Sequence, residues 1–354
     1  MKNLSPYRKA IDSIDKKIAA LLQQRAENIK KIADVKNSLG QQVYDPAREA
    51  EVLRNVTKAK KGKFSPDAVE AIYNEIFSAS RMLQRRVSVA YLGPVATYSH
   101  EAAVKRFGSQ TDYIPVNSIR EVFETVEKGL ADYGCVPIEN STEGAVNYTF
   151  DMFADSELKI MTEFPLDIRH CLLSKERSLK DIKLVHIHPQ TLGQCRGWLE
   201  SNLPGVTLKE ATSNSKAAMT AAGQKGTAAV AGTLAAKIYG LNILASSIQD
   251  MQDNVTRFFV LGTGWCRKTG DDKTSIMVSI KDKVGALFHL LKPFTKYGLN
   301  LSSIESRPSR KKAWDYYFFV DFAGHKDDAK VKKALAEIEK NCGAVKILGS
   351  YPKF

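Results

Sequence analysis

The sequence predicts a multidomain chain: an all-α domain over residues 1–86, an α/β domain over 87–265 and an α+β domain of ferredoxin-like βαββαβ order over 273–354. Three observations carry this expectation. After Pro6, apolar residues recur at three- and four-residue steps to about residue 38 with no Gly or further Pro. At Val87 the texture changes to short β-rich runs separated by helical stretches and glycine turns. A break from Gly262 to Asp272 then precedes a strand, helix, strand, strand, helix, strand pattern that ends near Ser350. The length of 354 residues agrees, because it exceeds what one hydrophobic core usually organises.

In the first segment Ile11, Ile14, Ile18, Leu21, Leu22, Ile29, Ile32 and Val35 mark one face of a long helix that Gly40 closes. Asp45-Pro46 and Ser65-Pro66 each set a capping side chain before a proline at the first helical position. They predict a second helix to about Lys60 and a third, carried by Val69, Tyr73, Ile76 and Leu83, to about Arg86. Strand runs in the α/β segment include Val87 to Leu92, Leu184 to Ile187, Ala228 to Val230 and Phe258 to Leu261.

Composition narrows the function classes. Hydrophobic residues at 44% and charged residues at 26% suit a soluble globular protein. The first residues enter an amphipathic pattern without an apolar signal core, and no run of about 18 apolar residues follows, so a cytoplasmic protein without membrane partners is expected. Cysteines 135, 171, 195, 266 and 342 form no CxxC pair, which argues for reduced thiols rather than a disulfide framework or zinc site. The net charge is +13, and residues 1–86 supply +8 of it, 18 Lys and Arg less 10 Asp and Glu. Those charges alternate in sign at helical spacing with no basic-aromatic stripe, which favours a small anionic substrate over nucleic acid. His186 and His188 alternate across a strand and are read as packing and turn residues; no metal or cofactor is expected.

Arg8, Arg25 and Lys36 fall on the apolar stripe of the first helix, where buried cations need anionic partners. At 1.5 Å per residue Arg8 stands about 26 Å from Arg25, too far to share one small ligand, so it is expected to serve another subunit's site. Arg25 and Lys36, about 16 Å apart, can close around a compact dianion. Ser80 and Gln84 share a face of the third helix at i and i+4, and Arg48 and Glu49 open the second. This arrangement over residues 6–86 resembles the all-helical chorismate mutase family, whose dimers swap their long first helices. The resemblance implies that Arg8 of a partner, Arg25 and Ser80 bind substrate carboxylates. It also implies that Lys36 and Gln84 meet the ether oxygen and Glu49 the ring hydroxyl, with Asp45 and Arg48 in support. Such a pericyclic rearrangement needs only a compact conformer and stabilised charge.

Five segments in order follow: Gly93 to Ser99, Val136 to Gly144, His188 to Cys195, Thr212 to Ser215, and Asn254 to Phe258. Together they resemble prephenate dehydratase, with Ala96-Thr97-Tyr98 where the family usually has Gly-Thr-Phe, and Asn214-Ser215 for its Ser-Thr. That resemblance implies two α/β lobes of periplasmic-binding-protein type facing across a cleft, the central lobe running from about 166 to 245. It assigns Thr256 as donor to the departing hydroxyl and Ser99, Asn140, Ser141, Ser215, Arg257 and Phe258 to substrate binding. Glycine turns and strand-end hydroxyls suit anion binding through backbone N–H groups.

In the last segment Val284-Gly285-Ala286-Leu287 joins strand to helix and Glu305-Ser306-Arg307-Pro308 ends the next strand. Both resemble the phenylalanine-binding segments of ACT domains, and imply Gly285, Ala286, Leu287, Glu305, Ser306, Arg307 and Pro308 as an allosteric site between subunits. The whole chain thus resembles the bifunctional chorismate mutase/prephenate dehydratases. The resemblance implies chorismate and prephenate as substrates, phenylalanine as allosteric inhibitor, and a homodimer or homotetramer. Two rival readings are arogenate dehydration, which the fused mutase argues against, and a non-catalytic amino-acid sensor.

Overall fold

The computed structural model describes residues 4–58, 62–280, 284–308, 316–342 and 344–353. The chain opens with α1 (Ser5–Ser38), α2 (Pro46–Lys58) and α3 (Pro66–Gln84). The Ser65 side chain accepts from the Ala68 amide at 3.2 Å, a cap of the kind worth about 1 kcal/mol. Arg85 is already extended, so α3 stops short of the expected Arg86, and Lys60 lies outside the described residues.

The stripe of α1 behaves differently from the sequence expectation. Ile11, Ile14, Ile18, Leu21, Leu22, Ile32 and Val35 are exposed, and Ala33 is the residue of α1 buried among those described. The helix is amphipathic, but among the described residues of its own chain none covers its first half.

The next unit holds β1 (Ser88–Leu92), α4 (Tyr98–Phe107), β2 (Asp112–Val116), α5 (Ile119–Glu127), β3 (Tyr133–Asn140), β4 (Gly144–Ala145), α6 (Asn147–Phe153) and β5 (Lys159–Asp167). A second lobe follows with β6 (Cys171–Ser174), β7 (Leu184–Ile187), α7 (Pro189–Asn202), β8 (Thr207–Glu210), α8 (Asn214–Ala222), β9 (Thr227–Ala231), α9 (Thr233–Tyr239) and β10 (Asn242–Ala245). The chain returns to the first lobe through β11 (Val255–Gly262). One sheet runs β2-β1-β3-β11-β5 with β4 on β3, the other β10-β6-β9-β7-β8. Because β5 leaves the first lobe and β11 re-enters it side by side, the two crossings make a hinge.

The last unit is β12 (Asp272–Ile280), α10 (Ala286–Lys296), β13 (Leu301–Pro308), β14 (Tyr316–Ala323), α11 (Ala329–Cys342) and β15 (Val345–Pro352), the βαββαβ order expected. Its sheet order is β13-β14-β12-β15. One core packs this sheet against α10 and α11, while Met277, Phe319, Leu348 and Tyr351 join the core of the first α/β lobe. All five cysteines are buried, and no described helix is long and apolar enough to cross a membrane.

Candidate active sites

Two separate concavities hold the candidate chemistry. A cavity of about 540 Å³ between the first three helices is lined by Arg25 and Lys36 from α1, Asp45, Arg48 and Glu49 at the start of α2, and Ser80, Arg81 and Gln84 from α3. The Lys36 ammonium donates to the carbonyls of Gln42 and Val43, each at 2.9 Å, which leaves one of its three protons for the cavity. Arg25 donates to the Ser80 hydroxyl. Burial pushes both cations below their ordinary pKa, although the neighbouring Glu49 opposes this for each and Asp45 for Lys36.

Asp45 caps α2 by accepting from the Arg48 amide at 2.9 Å, and Arg48 itself pairs with Glu51 at 3.0 Å near solvent. Glu49 is buried against Arg81. Gln84 gives its Nε2 to the Ser80 carbonyl at 3.2 Å and leaves a buried Oε1 without a hydrogen-bond partner. Arg8 is exposed and does not line this cavity.

The second concavity, about 270 Å³, opens between the two α/β lobes and is lined by Ser99, Asn140, Thr256 and Phe258 of the expected residues. Asn140 is oriented by five bonds of its own: its Oδ1 accepts from the Thr142 amide, the Thr142 hydroxyl and the Glu143 amide, and its Nδ2 donates to Asn254 Oδ1 at 2.8 Å and to the Val255 carbonyl at 3.4 Å. The same Nδ2 donates to the Thr256 hydroxyl at 2.8 Å. A hydroxyl that accepts in this way keeps its proton for another acceptor, and the cleft is where one would sit.

Three expected residues point elsewhere. Strand alternation sends Thr256 and Phe258 to one face of β11 and Arg257 to the other. There Arg257 pairs with Glu139, Glu163 and Asp321 at 3.4, 3.2 and 3.0 Å, and Asp321 belongs to the C-terminal sheet. Ser141 is spent on the backbone around the hinge, donating to the Asp253 carbonyl and accepting from the Val255 amide. Ser215 donates to the Val95 carbonyl, tying the lobes together at the cleft's edge. Arg307 likewise reaches out of its own domain to Asp151 of α6 at 3.2 Å.

The cleft also contains groups the sequence did not single out. His170 lies at the hinge between β5 and β6, with Nδ1 2.7 Å from the Tyr98 hydroxyl and Nε2 2.8 Å from Gln194 Oε1. Burial holds its imidazole below the usual value, against the opposing Gln194 bond. Gln194 and Asn254 complete this amide-rich wall. A lone His outside any expected segment carried no cue in sequence.

Residues 7–85 match the family model for chorismate mutase type II, 89–264 that for prephenate dehydratase and 274–340 that for the ACT domain. The fold and the two concavities therefore define a mutase–dehydratase fusion with a C-terminal ACT domain. Among curated relatives, the bifunctional chorismate mutase/prephenate dehydratase of Aquifex aeolicus is 46% identical over 100% of this chain and 99% of its own length. That of Pseudomonas aeruginosa is 42% identical over 99% and 98%. A crystal structure of prephenate dehydratase from Arthrobacter aurescens in complex with L-Phe superposes with a TM-score of 0.68 at 36% identity, covering 75% of this chain and 90% of that one. This chain belongs to the bifunctional chorismate mutase/prephenate dehydratase family.

Proposed function

We propose that the chain rearranges chorismate to prephenate in the helical cavity, and converts prephenate to phenylpyruvate in the α/β cleft under restraint by phenylalanine. The observation that supports this most directly is the coexistence of a cation-lined cavity and a separate hydroxyl- and amide-lined cleft in one chain of this family. In the cavity Arg25 and Ser80 take substrate carboxylate, and the remaining Lys36 proton meets the ether oxygen as its bond to carbon breaks. Lys36 is already anchored by two carbonyls, so little reorganisation is needed as that charge develops. Gln84 joins it after a half-turn of its amide brings Nε2 inward, and Glu49 accepts from the ring hydroxyl. Arg8 and the uncovered face of α1 support a dimer in which each site borrows a first helix.

In the cleft, the electrons of the breaking carbon–carboxylate bond enter the ring and expel hydroxide, leaving carbon dioxide and an aromatic product. Thr256 donates its hydroxyl proton as a hydrogen bond to that leaving group, with Asn140 fixing its direction. Threonine is a weak acid, so positioning and electrostatics supply most of the rate. Phenylalanine sits between ACT domains of two subunits, against Gly285, Ala286, Leu287, Glu305 and Ser306. Gly285 has φ +78°, which a side chain rarely adopts, and opens α10. The test is to supply purified chain with chorismate and follow both products. A folded protein that forms no prephenate refutes the first half, and one that leaves supplied prephenate unchanged refutes the second.

A further inference from the structure

One wall residue of the helical cavity, Glu49, is braced from outside its own domain. Tyr44, between α1 and α2, is 2% exposed and belongs to the aromatic core of the dehydratase lobe, its ring 5.0 Å from Phe107 and 5.2 Å from Tyr133. Its hydroxyl accepts from Nε of Arg106 at 3.0 Å, and Arg106 is a residue of α4 that is 4% exposed. From there Arg106 Nη2 stands 3.9 Å from Oε2 of Glu49. The other carboxylate oxygen is paired with Arg81, whose Nη2 donates to the carbonyl of Phe107, again in α4, at 2.8 Å.

A carboxylate buried to 8% exposure is costly unless its charge is balanced. Here two guanidiniums balance it, one from each domain. Arg81 consumes Oε1, but at 3.9 Å Arg106 acts on Oε2 by charge without hydrogen-bonding it. Oε2 is itself buried and has no hydrogen-bond partner, so the nearby Arg106 charge is what balances it. We infer that Arg106 of the dehydratase domain is a positioning residue for the mutase reaction, held by Tyr44 so that its charge balances the buried Glu49 and fixes that carboxylate in the cavity wall. The inference rests on the placement of Glu49 in the mutase site. It makes α4 common to both activities, because Tyr98 and Ser99 at its other end line the dehydratase cleft, about 11 Å away along the helix.

The test uses the full chain with Arg106→Met and Arg106→Lys, measuring chorismate rearrangement and, in the same preparations, turnover of added prephenate. Arg106→Met is expected to lower mutase kcat/KM about 10- to 100-fold, as small misplacements of a site group do, with prephenate turnover within about twofold. Arg106→Lys should recover part of the loss. In a Glu49→Gln background Arg106→Met should cost little more, since both changes disable one unit. An equal cost in both backgrounds, or unchanged mutase kcat/KM in Arg106→Met, overturns the inference. If Glu49→Gln itself leaves the mutase intact, the placement of Glu49 falls and the inference with it. Should Arg106→Met lose both activities through misfolding, Tyr44→Phe, which removes one hydroxyl, decides. A mutase-specific fall of about threefold or more supports the inference, and no fall overturns it.

Discussion

Thr256, Arg257 and Phe258 are adjacent in sequence yet face two domains. Thr256→Ala is expected to lower prephenate turnover about 10²-fold or more while chorismate is still consumed, so prephenate accumulates; equal loss of both activities would contradict separate sites. His100 supplies a second test at this scale. It stacks on Tyr91 with ring centroids 4.5 Å apart, its Nδ1 accepts from the Ala96 amide at 3.1 Å, and burial pushes its pKa from 6.5 to about 4. Because the folded state resists this proton more than the unfolded chain does, its contribution to stability is complete above about pH 6.5 and is lost as pH falls toward 4. The urea midpoint should therefore fall between pH 7 and pH 5, and His100→Gln should flatten that dependence. An identical slope in the variant would remove His100 as its cause. The motif around Thr256 was legible in sequence because five segments in order together resemble prephenate dehydratase. Arg257's partners were not, because they lie in elements more than sixty residues away on either side.

The long first helix carries the clearest signal at the level of elements, and its uncovered face gives that signal its meaning. Period and caps determine where α1, α2 and α3 lie, but a periodic apolar face says only that something covers it. Ile14→Glu together with Ile18→Glu should convert the protein to smaller species in sedimentation and abolish mutase activity, leaving prephenate turnover in place. An unchanged sedimentation coefficient would sink the swapped-helix arrangement. Mixing Arg8→Ala with Arg25→Ala chains should restore part of the activity each lacks, since one site in the mixed dimer keeps both arginines. No recovery after demonstrated subunit exchange would count against a shared site.

Across the whole molecule, the contacts that join the ACT sheet to the catalytic lobe include Arg257 with Asp321, and Arg307 with Asp151 beside the Phe150–Phe319 contact. A ligand that favours one placement of this sheet can bias the strand bearing Thr256, and a coupling of about 1–3 kcal/mol would change apparent affinity roughly 5- to 150-fold. Phenylalanine should inhibit prephenate turnover sigmoidally. Gly285→Val, strained at positive φ, should raise the phenylalanine needed for half inhibition about fivefold or more while turnover without it is retained. Calorimetric binding unchanged in that variant would refute the proposed pocket. Deleting the chain from Gly264 onward is a poorer test, because it would bare the lobe core that Met277, Phe319, Leu348 and Tyr351 complete and leave Arg257 without Asp321.

What the sequence determined alone was local or strictly ordered: the helical period of α1, the Asp-Pro and Ser-Pro helix starts, the ordered segments of the cleft, and the βαββαβ order of the last domain. Each follows from short-range sterics, hydrogen bonding or residue order, which a linear reading contains. Only the tertiary structure decided where side chains look. It turned Arg257 and Arg307 toward neighbouring domains, engaged Ser141 and Ser215 on backbone carbonyls, and brought His170 into the cleft. It also set Arg106 beside Glu49. Those outcomes depend on which buried charges and polar groups lacked partners after chain closure, and that balance is struck between residues far apart in sequence.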